Sequence, residues 1–180
     1  MNKHDSKVIA VFGGSRPPET SPEYVEAYTI GKLLAQHGFT VMNGGYGGTM
    51  EASARGAHEN GGRTVGVLSS EFAWLSPNRF LHHVEPSQDL FSRIRYMQTH
   101  AQAFVVLKGS MGTLAELALV WNISKIDAAQ RKPIILVGDA WSQVLGVMRQ
   151  QLPVTDEEAA LLQLAQTPEA TVQLLVKHFE

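Results

Sequence analysis

The chain has no cysteine among its 180 residues. That excludes a disulfide framework, thiolate catalysis and cysteine-ligated zinc. No apolar run approaches the length needed to span a membrane, and the opening MNKHDSKVIAVFGG has no apolar stretch of signal-peptide length. Cytoplasm is therefore the expected compartment, with no membrane partner. Charge of one sign is also missing: 15 Lys and Arg stand against 17 Asp and Glu, a net charge of −2. No general basic field invites nucleic acid. Both common nucleotide fingerprints are absent. There is no G-x-x-x-x-G-K-[ST], and the first apolar run ends in GGSRPP instead of G-x-G-x-x-G. The proline pair would disrupt the helix start that a dinucleotide fingerprint requires.

What is present is an alternation of short apolar runs with helical periodicity. Strands are expected at Lys7–Phe12, Phe39–Met42, Arg63–Leu68, Ala103–Leu107 and Lys132–Val137. Helices are expected at Glu23–His37, closed by Gly38, and at about Thr49–Asn60, Leu90–His100, Leu114–Ile126 and Trp141–Gln150. Ser69–Pro86 reads as a loop with a short strand near Phe80–Val84. The tail from Leu152 reads as one or two helices, with Pro168 opening the last. This order predicts an α/β protein with a mostly parallel sheet and helices on both faces. With no break in composition, residues 1–180 read as a single domain.

Three glycine-rich loops follow expected strands: Gly13-Gly14-Ser15-Arg16, Gly44-Gly45-Tyr46-Gly47-Gly48-Thr49, and Gly109-Ser110-Met111-Gly112-Thr113. Ligands of open parallel sheets bind beyond the carboxyl ends of the strands. The second and third loops lead directly into helices, whose first N–H groups and positive dipole end suit an anion. The expected ligand is therefore a phosphorylated small molecule, a mononucleotide in preference to a dinucleotide. The expected contacts are Gly14, Ser15, Gly45, Gly47, Gly48, Thr49, Gly109, Ser110, Gly112 and Thr113, with Arg16 beside them.

Glu116 has two readings. Thr113-Leu114-Ala115-Glu116 fits the capping box, in which Glu116 folds back on the backbone of Thr113. Alternatively its carboxylate faces the loop mouth, where it could stabilise an oxocarbenium-like ribose or direct water to the anomeric carbon. Arg93 and Arg95 lie two positions apart on the preceding helix, so only one is expected to enter a cleft. Arginine there suits a phosphate or a carboxylate. His82 and His83 are adjacent and point apart, so no metal site is expected. Tyr46 would stack on a base or cover its own loop. Asn43 would contact ligand or cap its turn. Trp121 would serve the core or a subunit contact.

Four segments, VFGGS (Val11–Ser15), GGYGGTMEASARGA (Gly44–Ala57), RIRYM (Arg93–Met97) and KGSMGTLAEL (Lys108–Leu117), together resemble the cytokinin riboside 5′-monophosphate phosphoribohydrolase family. That family, "lonely guy", is often mislabelled lysine decarboxylase. The resemblance runs from about residue 8 to 137. Gly109, Gly112, Thr113 and Glu116 meet the P-G-G-x-G-T-x-x-E signature, and Arg93 meets the catalytic arginine. Lys108 stands in place of its proline, Ser110 in place of a glycine, and Ile94 in place of a lysine. Gly44–Ala57 also resembles wider Rossmann-like relatives, including molybdenum-cofactor carriers. The resemblance implies a Rossmann-like doubly wound sheet, usually a homodimer. It implies hydrolysis of a nucleoside 5′-monophosphate with Glu116 and Arg93 catalytic and no cofactor or metal. The alternative is a carrier that binds a phosphorylated nucleotide-like ligand without turnover.

Overall fold

A computed structural model describes residues 6–180. Its centre is one parallel sheet of seven strands in the order β4-β3-β2-β1-β5-β6-β7. The strands are β1 (Val8–Phe12), β2 (Thr40–Asn43), β3 (Thr64–Ser69), β4 (His83–Ser87), β5 (Ala103–Val106), β6 (Ile134–Val137) and β7 (Leu162–Ala165). The longer helices between and after them are α1 (Pro22–Gln36), α2 (Thr49–Glu59), α3 (Leu90–His100), α4 (Met111–Ile126) and α5 (Asp139–Gln151). The short α6 (Asp156–Ala159) precedes β7, and α7 (Pro168–Phe179) follows it. Parallel neighbours need a crossover between them, which explains why strand and helix alternate.

The central strands β1, β2, β5 and β6 are buried on both sides, and their residues divide by parity. Ile9 and Val11 of β1 join Ala103 and Val105 of β5 in a core roofed by α1, α2 and α7. Ala10 and Phe12 join Phe104 and Val106 in a second core roofed by α3, α4 and α5. Alternate residues of a strand face opposite ways, so near-continuous apolar strings are what a sheet with two covered faces requires. α1 starts at Ser21, whose side chain accepts from Tyr24 N at 3.2 Å, with Pro22 in the first turn. α1 and α2 pack backbone to backbone, because a Cβ at Gly31 would lie 2.0 Å from Ser53 O.

Successive strands from β1 to β4 build one side of the sheet, and β5 to β7 build the other. The order reverses between β1 and β5. A crevice opens beyond the carboxyl ends of two such strands, because their following loops diverge.

The structure departs from the sequence reading in four places. The tail contains a strand: Leu162–Ala165 pairs parallel with β6 and forms one sheet edge. At the other edge, β4 runs His83–Ser87, later than expected, and includes Pro86, which an edge strand tolerates. α4 begins at Met111, three residues before Leu114, with Ser110 as its N-cap. Thr113 therefore lies inside the helix and cannot cap it, so the capping-box reading of Thr113 and Glu116 fails. A capping box does form at Thr155 and Glu158, at the start of α6.

Candidate functional site

At the β1–β5 crevice lies a cleft of about 170 Å³. One wall is polar: Gly14 and Ser15 after β1, Arg93 from α3, and Ser110, Gly112, Thr113 and Glu116 at the start of α4. The rest of the lining is largely apolar: Tyr46, Met50, Phe72, Leu75 and Leu90. A polar end and an apolar end suit a ligand that joins a charged group to a flat ring.

The floor is an ion pair. Arg93 Nη1 lies 3.4 Å from Glu116 Oε1, with the two side chains only 7% and 9% exposed. Arg93 Nε donates to the carbonyl of Val67 at 2.8 Å, and its guanidinium lies 5.9 Å from the centre of the Tyr46 ring. The guanidinium is thus held on several sides before any ligand arrives. Asp89 caps α3 by accepting from Ser92 N at 2.7 Å, which sets the helix phase that turns Arg93 inward. Arg95, two positions on, is exposed.

Burial pushes the Glu116 carboxyl up from 4.5 to about 7, although Arg93 beside it pulls the other way. Desolvation wins because the pair is long and the guanidinium also serves Val67. A carboxyl that titrates near neutrality in a cleft is suited to proton transfer and to meeting developing positive charge.

The loops behave differently from one another. Gly14 lines the cleft, and its carbonyl accepts from both the amide (2.9 Å) and the hydroxyl (3.0 Å) of Thr49. The first amide of α2 is therefore spent on holding the β1 loop. Gly45 is pinned from both sides, its N–H donating to Asn43 Oδ1 at 2.8 Å and its carbonyl accepting from Asn78 N at 2.8 Å. Gly45, Gly47, Gly48 and Thr49 stand behind the cleft and do not line it. Gly48 makes a close approach: its φ is 66°, and a Cβ there would lie 2.5 Å from the carbonyl of Gly14. Gly109 leaves room for Thr113, whose Oγ1 a Cβ would approach to 2.1 Å. Gly112 has open space before it.

Several further residues complete the site. Met50 and Leu90 come from the starts of α2 and α3, and Phe72 and Leu75 from the least periodic segment, where no spacing marks them. Tyr46 is buried, and its hydroxyl bridges the N–H and carbonyl of Ser69 at 3.1 and 3.2 Å. Asn43 is fully buried and ties the second loop to Met50 O and Ser53 Oγ of α2. Trp121 donates to Glu158 O at 2.8 Å and fastens α4 to α6, beside a largely apolar hollow of about 210 Å³ whose charged lining residues, Lys125 and Glu158, pair with each other. His82 Nδ1 meets Thr64 Oγ1, whereas His83 faces Glu85. Among the described residues no group of His, Asp and Glu is placed to hold a metal ion, and no helix is long and apolar enough to cross a membrane.

Residues 6–172 match the SLOG cluster4 family. The chain belongs to that family. Its relatives include a protein of Mycobacterium tuberculosis named cytokinin riboside 5′-monophosphate phosphoribohydrolase, 31% identical over 142 residues, 77% of this chain and 74% of the relative. A Mycobacterium marinum protein of the same name is 30% identical over 150 residues, with the same coverage of 77% and 74%. These matches carry the resemblance read from the glycine loops, Arg93 and Glu116. Among solved structures, the molybdenum cofactor binding protein from Rippkaea orientalis superposes with a TM-score of 0.78, covering 98% of this chain and 99% of that one. At 23% identity this likeness shows the shared Rossmann-like fold alone.

Proposed function

We propose that the cleft cleaves the N-glycosidic bond of a nucleoside 5′-monophosphate, releasing free base and ribose 5-phosphate. The observation that carries this reading is the buried Arg93–Glu116 pair at the α4 opening, with the carboxyl raised to about 7. The phosphate would lie against Gly14, Ser15, Ser110, Gly112 and Thr113, where the first turn of α4 directs unpaired amides and the positive end of its dipole. The base would lie along Tyr46, Phe72 and Leu75. Between them the ribose carbon faces Glu116.

In its ionised form Glu116 opposes the positive charge that grows on the ribose as the bond to the base breaks, and it orients the attacking water. Arg93 keeps part of the carboxyl ionised at neutral pH and fixes its direction. No step in this sequence calls on a metal or redox group. The same reading takes residues 1–180 as one nucleotide-binding domain acting as a cytoplasmic homodimer. Relatives that bear the phosphoribohydrolase name support the chemistry.

The test is a panel of nucleoside 5′-monophosphates incubated with the purified chain, free base being followed by chromatography. Base release that disappears in Glu116→Gln is the expected result. Nucleotide binding without release, equal in both proteins, would instead make the cleft a carrier site for a phosphorylated nucleotide-like ligand.

A further inference from the structure

Beside the cleft, across Gly14, Ser15 and Ser110, lies a second hollow of about 190 Å³. Those three residues line both spaces, so the two adjoin. The outer hollow adds three charged side chains, Arg16, Lys108 and Glu23. The N–H groups of Ser15, Arg16, Gly109 and Ser110 donate to no backbone carbonyl among the described residues. The hollow has no aromatic side chain in its lining, so it offers nothing on which a base would stack. Two cations and free amides make a lining for a compact anion.

Resting on the nucleotide reading above, we propose that this hollow takes the outer phosphoryl group of a nucleoside 5′-diphosphate, whose inner phosphoryl group lies against Gly112 and Thr113. Lys108 is the residue that makes the hollow distinct. It stands where the resembling signature has proline, so the cation is a property of this chain. In the free protein it pairs with Glu23 at 3.2 Å, its side chain 62% exposed. Exposed pairs of this kind are weak. A phosphoryl group with more than one negative charge displaces Glu23 readily, and Lys108 has the freedom to turn toward it. Arg16, also exposed, closes on the same group from the β1 loop.

Isothermal titration of the full chain with adenosine 5′-monophosphate and 5′-diphosphate tests this, alongside orthophosphate and pyrophosphate, which carry no base. The expected result is a preference of about tenfold for the diphosphate over the monophosphate and for pyrophosphate over orthophosphate. Both preferences fall toward one in Arg16→Ala/Lys108→Ala, whose two side chains are exposed and leave the fold intact, as a melting curve checks. Equal affinities within each pair in the parent protein overturn the proposal, as does a preference retained in the double variant. If the base fits poorly, the pyrophosphate pair decides alone. Pyrophosphate preference without base release from any nucleotide sinks the hydrolase reading and keeps this subsite. Base release with no such preference does the reverse.

Discussion

Arg93 joins β3 to α4: its Nε donates to Val67 O at 2.8 Å, while Nη1 reaches Glu116 at 3.4 Å. One guanidinium thereby positions the carboxyl relative to the sheet. Arg93→Met removes both contacts and leaves Glu116 buried without a cation. Breaking a buried pair from one side costs roughly 3–5 kcal/mol when the remaining group must stay charged. Glu116 escapes that cost by holding its proton. The expected outcome is a melting temperature that falls steeply at pH 8 and little at pH 5. Equal losses at both values would show that Arg93 matters only for packing and for Val67. Arg93→Lys is expected to fall between, since an ammonium lacks the fork that serves both acceptors.

The raised carboxyl of Glu116 also sets a sign for stability against pH. Its folded value, about 7, exceeds its ordinary 4.5, so the folded chain holds the proton more tightly than the unfolded chain. The favourable contribution is complete below about 4.5, declines as pH rises, and is gone above about 7. Its full size is on the order of 3 kcal/mol. Urea titrations of parent and Glu116→Gln between pH 4.5 and 8 measure it. The difference in unfolding free energy should drift steadily toward the variant across this window. Two parallel curves would mean that Glu116 titrates as an ordinary surface carboxyl.

Much of this arrangement is legible in the residues. Short apolar strings such as VIAVF and AFVV announce parallel strands with both faces covered, and the loops after β1 and β5 mark the crevice. Arg93 and Glu116, which both line the cleft, stand out in the sequence because each has a chemistry that a cleft uses and lies in a motif. Other parts follow no local pattern. β7, LQLA, is four residues long with Leu164 exposed, so neither length nor alternation separates it from a loop. The α4 start was misplaced because Ser110, its N-cap, makes no side-chain capping bond, while Thr113-x-x-Glu116 imitates a cap. The second glycine loop reads like a phosphate cradle, yet the amide of Gly45 answers to Asn43 and that of Thr49 to Gly14. Local sequence cannot tell an amide free for a ligand from one claimed by a distant carbonyl.

The rate should follow the same carboxyl. If the ionised form of Glu116 acts, kcat/KM rises with pH and levels off above about 7. Because Arg93 lowers the Glu116 value, Arg93→Lys should move that limb to higher pH as well as lower the plateau. Glu116→Gln should remove the limb and cost roughly 10²–10⁴ in rate. Stopped assays across pH 5–9, with base release as readout, check all three proteins. A rate that instead falls through pH 7 would assign Glu116 the role of proton donor.

Two glycines, one against Arg93 and one in the cleft lining, separate fold from function. A Cβ at Gly44 would lie 1.5 Å from Arg93 Nη2 and 2.6 Å from Met50 Sδ. Both atoms belong to the outer part of long side chains and neither to the backbone, so the backbone survives Gly44→Ala, but the guanidinium must leave its place beside Glu116. The expected result is a folded protein, detected by an intact far-ultraviolet spectrum, that loses the ligand-binding and catalytic behaviour tied to Arg93. Gly112 is the reverse case. Nothing lies within 4 Å of its missing Cβ, and it sits in the first turn of α4. Alanine there should raise stability by up to about 1 kcal/mol through helix propensity and a less disordered unfolded chain. The new methyl, however, projects into space that the cleft lining leaves for the anion, so phosphate affinity should fall while the melting temperature rises. Gly112→Ala that gains stability and keeps full affinity for orthophosphate would mean the anion does not approach the α4 amides at this point. Gly44→Ala that keeps full activity would mean the guanidinium can work from a second position.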